Sequence, residues 1–131
     1  ADLWKIYSPT AEPWANDLLA MNRQQGYWIE MAAPAQLQVI GTRPVETSIT
    51  LCPGWNLIGY PTGTEKPVTE ALAGIAGKFS LVYGYDAFDS ADPWEKYNPS
   101  LPPFANDLQT MRPGFGYWIR MTEAATLTIG R

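Results

Sequence analysis

The chain has 131 residues, 46% of them hydrophobic and 17% charged, and a net charge of −4. This is enough chain for one ordinary domain with a real core, and its acidic balance excludes a nucleic-acid interface, which needs a clustered basic face to displace phosphate counterions. With no histidine and only Cys52 as a thiol, intrachain disulfides, Ser-His-Asp triads, Cys-His nucleophiles and most zinc sites are excluded, and no apolar run reaches the roughly 18 residues of a membrane helix.

In chain order, "ANDL" from Ala15 reads as a short helical turn. Asn16 is its natural N-cap, and Asp17 sits where the helix dipole favours negative charge. In "GYWIEM", Gly26–Met31, the residues Tyr27, Ile29 and Met31 alternate with Trp28 and Glu30, the period of a strand. Leu37 and Val39 alternate with Gln36 and Gln38, and Ile49 and Leu51 with Ser48 and Thr50. Cys52, before "PGW", reads as a small buried apolar residue, with an exposed thiol able to cross-link chains as the alternative. Pro67 suits a first helical position, Val68, Leu72 and Ile75 recur at helical spacing, and Gly77 can end the helix. Phe79, Leu81, Tyr83 and Tyr85 form another alternating set. Then "ANDL", "GYWIRM" and the alternation of Leu127 and Ile129 with Thr126 and Thr128 repeat the opening, with Asn106 and Asp107 again as cap and first-turn acid. Twelve prolines and eleven glycines punctuate these runs, as a many-turned sheet protein requires. The expected fold is mainly β, an antiparallel sandwich or barrel with one or two short helices.

Sliding the chain against itself by ninety places aligns residues 1–39 with 91–129 without a gap, and 18 of 39 positions are identical. Such self-similarity marks a tandem array. Residues 1–41 then read as the C-terminal half of one repeat and 42–131 as a complete repeat, the whole a piece of a longer tandem protein, and the two parts can pack as one unit. On one version of that packing, residues 1–82 are the complete domain. "GWNLIGYP", "LVYGYD", "W.KY.P", "ANDL..M", "GYWI.M" and the closing "LTI" together resemble aromatic-rich modules of large secreted and cell-surface microbial proteins. The resemblance implies an extracellular module beside other adhesive repeats, with neighbouring repeats or cell-surface modules as partners, and no settled activity.

The two copies differ in a paired way. Lys5 becomes Glu95 while Glu30 becomes Arg120, so that both signs reverse together. This places the Trp4–Tyr7 strand beside Gly26–Met31, with Lys5–Glu30 and Glu95–Arg120 as cross-strand ion pairs. On that register Tyr7 and Trp28 share one relatively polar face, as do Tyr97 and Trp118. Such rings could stack on sugar faces and make a carbohydrate-binding platform. The competing reading is a second small core covered by loops such as 99–104, since aromatics dominate cores. Trp14 and Phe104 read as plugs over the sheet edge. Asp86, Asp89 and Asp92 crowd one loop and could hold calcium, although the spacing is not that of an EF-hand; the first copy supplies only Asp2. A repeat is a poor place for a single active site, and Asp17 and Asp107 already have a capping role. The expectation is therefore a non-catalytic structural or adhesive repeat without cofactor, with carbohydrate binding as the alternative.

Overall fold

Simple alternation builds the outer pair of strands. In β1 (Glu46–Leu51) Thr47, Ile49 and Leu51 are buried while Glu46, Ser48 and Thr50 face water. This strand pairs antiparallel with β8 (Ala125–Gly130), which sets Ile49 opposite Leu127 and Thr47 opposite Ile129. The structure, a computed structural model, describes residues 4–130, so the match of Ala1 and Asp2 to the second copy lies outside the described residues. Between the outer strands come β2 (Gly54–Ile58), β3 (Lys66–Pro67), the helix α1 (Val68–Ala71), β4 (Phe79–Tyr85), β5 (Trp94–Tyr97), β6 (Thr110–Met111) and β7 (Tyr117–Met121). A four-stranded antiparallel sheet runs in the order β2-β7-β4-β5, and β3 pairs with β6. The fold is mainly β, as expected.

The helix is shorter than its spacing predicts. After α1 the chain tightens into a 3-10 turn over Ala73–Ile75. Two glycines close together and no side-chain cap leave so short a nucleus unable to sustain itself. Burial holds it instead: Val68, Leu72 and Ile75 all join the core, and Gly77, at φ +79°, turns the chain out of the helix as expected.

Among the described residues every core residue lies between Ile49 and Ile129, so the core draws on both sides of residue 82, unlike the version in which residues 1–82 form the complete domain. Among the described residues, 4–45 form no strand; they hold a 3-10 turn at Pro13–Ala15 and one bridge between Gln25 and Ile58. The expected strands at Gly26–Met31 and Gln36–Val39 are therefore absent, while their second copies are β7 and β8. A strand exists only with a partner to complete its hydrogen bonds. In the second copy β2, β4 and β1 supply those partners; the first copy has only the edge of β2.

Both "ANDL" copies differ from expectation in the same manner. Asn16 and Asn106 follow their 3-10 turns, Pro13–Ala15 and Pro103–Ala105, and do not precede a helix. Each amide clamps the backbone eight residues earlier. Asn106 accepts from the Asn98 N–H at 2.9 Å and donates to its carbonyl at 3.1 Å. Asn16 does the same at Ser8, at 2.8 and 3.1 Å. Asp107 and Asp17 accept the N–H groups of Lys96 and Ile6, each at 2.6 Å. Proline as the first residue of each turn fixes its entry and the short polar side chains tie it off.

Candidate functional site

A bulge in β4 decides which face each aromatic takes. The register of β4 against β7 shifts between Phe79 and Leu81, so the strand's alternation changes phase. Phe79, Val82 and Gly84 face the core; Leu81, Tyr83 and Tyr85 face away from it. Tyr83 stands opposite Trp118 of β7, and Tyr85 opposite Trp94 of β5. Trp55 of β2 faces the same way, opposite Arg120. The outer face of the sheet is consequently aromatic, on elements rigidified by the core behind them.

Residues of the first copy extend this face into a continuous ladder. Ring centroids run from Trp4 to Trp118 at 5.7 Å, Trp118 to Trp55 at 6.4 Å and Trp55 to Tyr83 at 5.8 Å, the last pair stacked at 24°. The ladder continues from Tyr83 to Trp94 at 6.0 Å, then from Trp94 to Tyr85 at 4.9 Å and to Trp28 at 5.5 Å, with Trp28 and Tyr85 closing at 4.8 Å. Five of the six tryptophans take part. All but one of these pairs meet edge to face, the arrangement the ring quadrupole favours.

The ladder has a hidden symmetry. Trp4 and Trp28 correspond to Trp94 and Trp118 in the ninety-residue repeat. Trp4 meets Trp118 and Trp28 meets Trp94, each with an interplanar angle of 61°. The contacts are reciprocal: a residue of the first segment touches a residue of the second, and their equivalents touch in return. Gly26 and Gly116, also equivalent, meet at the centre: a Cβ on Gly116 would lie 3.6 Å from the Gly26 Cα. Backbone hydrogen bonds from Gly26 N–H to Leu57 and from Gly59 N–H to Gln24 lay this segment along the free edge of β2. Arg23 and Gln24 tie it to Thr47 and Ser48 of β1.

Between the first copy and the sheet lies a groove of about 1410 Å³, lined by Trp4, Trp28, Trp55, Trp94 and Trp118 among others. Trp28, Trp55 and Trp94 are each somewhat under half exposed. No known protein family, curated protein or solved structure matches this chain. Its site must be read from its own geometry.

Of the four residues expected to form a stacking face, Trp28 and Trp118 are in the ladder. Tyr97 is not: it faces the core opposite Val82 and packs on Phe79 at 6.2 Å. Tyr7 is exposed and makes no ring contact among the described residues. The expected strand adjacency fails because β4 is inserted between β5 and β7. Glu95 and Arg120 thus stand two strands apart on opposite faces, and neither Glu95–Arg120 nor Lys5–Glu30 is an ion pair among the described residues. Glu95 instead lies 3.9 Å from Arg112, which also approaches Asp86 at 3.8 Å and covers the Phe115 ring at 4.5 Å. Burial pushes the Glu95 carboxyl above its ordinary range, against the pull of Arg112.

The three loop aspartates do not converge. Asp86 and Asp89 accept the N–H groups of Phe88 and Asp92 within the turn, and among the described residues no group of three or more metal-ligating side chains comes together. Cys52 is exposed, since β1 ends one residue earlier and alternation points it outward. Asn56 clamps its backbone from both sides, at 3.0 and 2.8 Å. Trp14 and Phe104 cover nothing; both stand almost fully exposed. The ladder members missed by sequence reasoning are Trp4, Trp55, Tyr83, Tyr85 and Trp94. The alternation of "GWNLI" offered a signal for Trp55, whereas the bulge that reverses Tyr83 and Tyr85 leaves no mark in composition.

Proposed function

We propose that this chain is a non-catalytic structural repeat module, of the extracellular adhesive kind, and that its aromatic sheet face is the joint between one repeat and the next. The observation that carries the reading is the reciprocal pair, Trp4 on Trp118 and Trp28 on Trp94. Two equivalent surfaces packing on each other is what a joint between like units requires. On this reading each complete unit is a two-layer sandwich, with β1 and β8 over the four-stranded sheet, and its partners are neighbouring repeats. Limited proteolysis of Trp4→Ala/Trp28→Ala tests it: residues 1–41 should be cut at least tenfold faster than in the parent chain, with 42–131 left resistant. Unchanged cleavage would overturn the joint.

A second reading has its own observation. Trp28, Trp55 and Trp94 are partly exposed along an open groove, and such rings stack on sugar faces. A saturable tryptophan fluorescence change with soluble polysaccharides, lost in Trp55→Ala, would establish a carbohydrate-binding module. A flat response across a panel of neutral and acidic polysaccharides would remove it.

A further inference from the structure

The first copy is folded as a half-unit but packed as none. Its local geometry already matches the second copy at point after point. Pro13–Ala15 repeats the turn at Pro103–Ala105, and the Asn16 and Asp17 clamps repeat those of Asn106 and Asp107. The phenol of Tyr27 accepts from the Asn22 N–H at 2.9 Å, as that of Tyr117 does from Arg112 at 2.7 Å. Strand pairing and burial are where the copies part, since residues 26–31 and 36–39 form no strand where the second copy has β7 and β8. Ile29 is 58% exposed and Ile119 0%, Met31 57% and Met121 3%, Leu37 74% and Leu127 1%. Isolated exposed apolar residues need no explanation, but a whole core set turned to water marks an interaction surface.

The second copy displays what covers that set. Ile119, Met121 and Leu127 are buried by the front half of their unit, β1, β2, α1 and β4. The direction is also free. Trp4 and Trp28 hold the half-unit to the ladder, while Ile29, Met31, Leu37 and Val39 are exposed and line no part of the groove between the first copy and the sheet. We infer that residues 4–41 are an acceptor, and that its ligand is a front half-unit of the same repeat, a polypeptide of the kind seen in residues 42–90, which docks on Ile29, Met31, Leu37 and Val39 and supplies the strand partners that residues 26–31 and 36–39 lack. Docking completes a second unit that meets the first at Gly26 and Gly116. This inference rests on the repeat-module reading and adds to it the identity of the partner.

The test titrates the full chain with the separate polypeptide 42–90 and follows amide hydrogen exchange. Saturable 1:1 binding with new protection at residues 27–31 and 37–39 is expected, weakened about a hundredfold in Ile29→Asp, which would place a charge in the new core. Because Ile29 is exposed, that variant leaves the existing unit intact. Placing residues 42–90 directly before residue 1 gives a second route that needs no soluble fragment. In that chain residues 27–31 and 37–39 should be protected from exchange as strongly as residues 117–121 and 127–129. Residues 27–39 unprotected in both experiments would overturn the inference, and if residues 1–41 still resist protease the joint survives it. Protection arising in the chain alone as it dimerises would overturn it too, with a second copy as the occupant. Loss of protease resistance together with no binding would sink both readings.

Discussion

Asn106 uses both ends of its amide on one residue, and only side-chain chemistry lets it do so. Its oxygen takes the Asn98 N–H and its nitrogen meets the Asn98 carbonyl, at a position that is almost fully buried. Removing it strands two backbone groups, which costs about 1–3 kcal/mol in a buried setting. Asn16 makes the same two bonds to Ser8 at a position that is only partly buried and outside the core. Asn106→Ala should lower the urea-unfolding free energy by about 1–3 kcal/mol and Asn16→Ala by under about 0.5 kcal/mol. Equal losses would mean that residues 4–41 belong to the cooperative core. Titration makes a separate demand at this scale. Burial raises the phenols of Tyr60, where Glu70 adds to the effect, and of Tyr117, where the Arg112 N–H opposes it. The neutral phenol is thus favoured in the fold, while the unfolded chain releases its protons near about pH 10. Stability contributed here is fully present below that pH and is lost as pH rises through the raised folded values. Unfolding midpoints should hold steady from pH 8 towards 10 and fall beyond it, and a midpoint still flat at pH 11 would contradict the burial of these rings.

Strands were legible wherever their partners are present in the chain. Alternation at Ser48–Leu51 and Thr126–Ile129 became β1 and β8 because each is the other's partner. Identical alternation at Gly26–Met31 became nothing, since hydrogen-bond partners are a property of topology and not of local sequence. The insertion of β4 between β5 and β7, which undid the ion-pair register, is invisible to any argument that compares two segments in isolation. The ladder was half legible: the tryptophans of "GYWI" were seen, but the bulge reassigns Tyr83 and Tyr85 without any residue that announces it. Beside the ladder, a short backbone seam rather than a strand lays the first copy on the sheet. Gly59 lies so close to it that a Cβ would come within 2.6 Å of the Arg23 carbonyl oxygen. A backbone atom cannot yield as a flexible side chain does. Gly59→Ala should open the seam, with amides at Gly26 and Gly59 exchanging at least tenfold faster, while those of β7, central in its sheet, change little. Retained protection at Gly26 would show that the ladder alone fixes the segment.

At the scale of the whole molecule, the core and the joint are separable. The core is built from residues 49–129 and the joint adds rings from residues 4 and 28 on the far side of the sheet. Residues 42–131 should therefore unfold cooperatively on their own, close to the midpoint of the full chain. Their outer face, though, would then carry Trp55, Tyr83, Tyr85, Trp94 and Trp118 uncovered, a contiguous aromatic patch of the kind that drives association. The reciprocity of the joint says which association. A surface that accepts Trp28 on Trp94 and Trp4 on Trp118 will accept Trp118 and Trp94 of a second copy at the same places, because those are the equivalent residues. Sedimentation of 42–131 should reveal a concentration-dependent dimer that Trp94→Ala abolishes, whereas the full chain, its face already occupied, stays monomeric over the same range. A monomeric 42–131 would mean that the contacts of residues 23–26 along β1 and β2, and not the rings, make the joint.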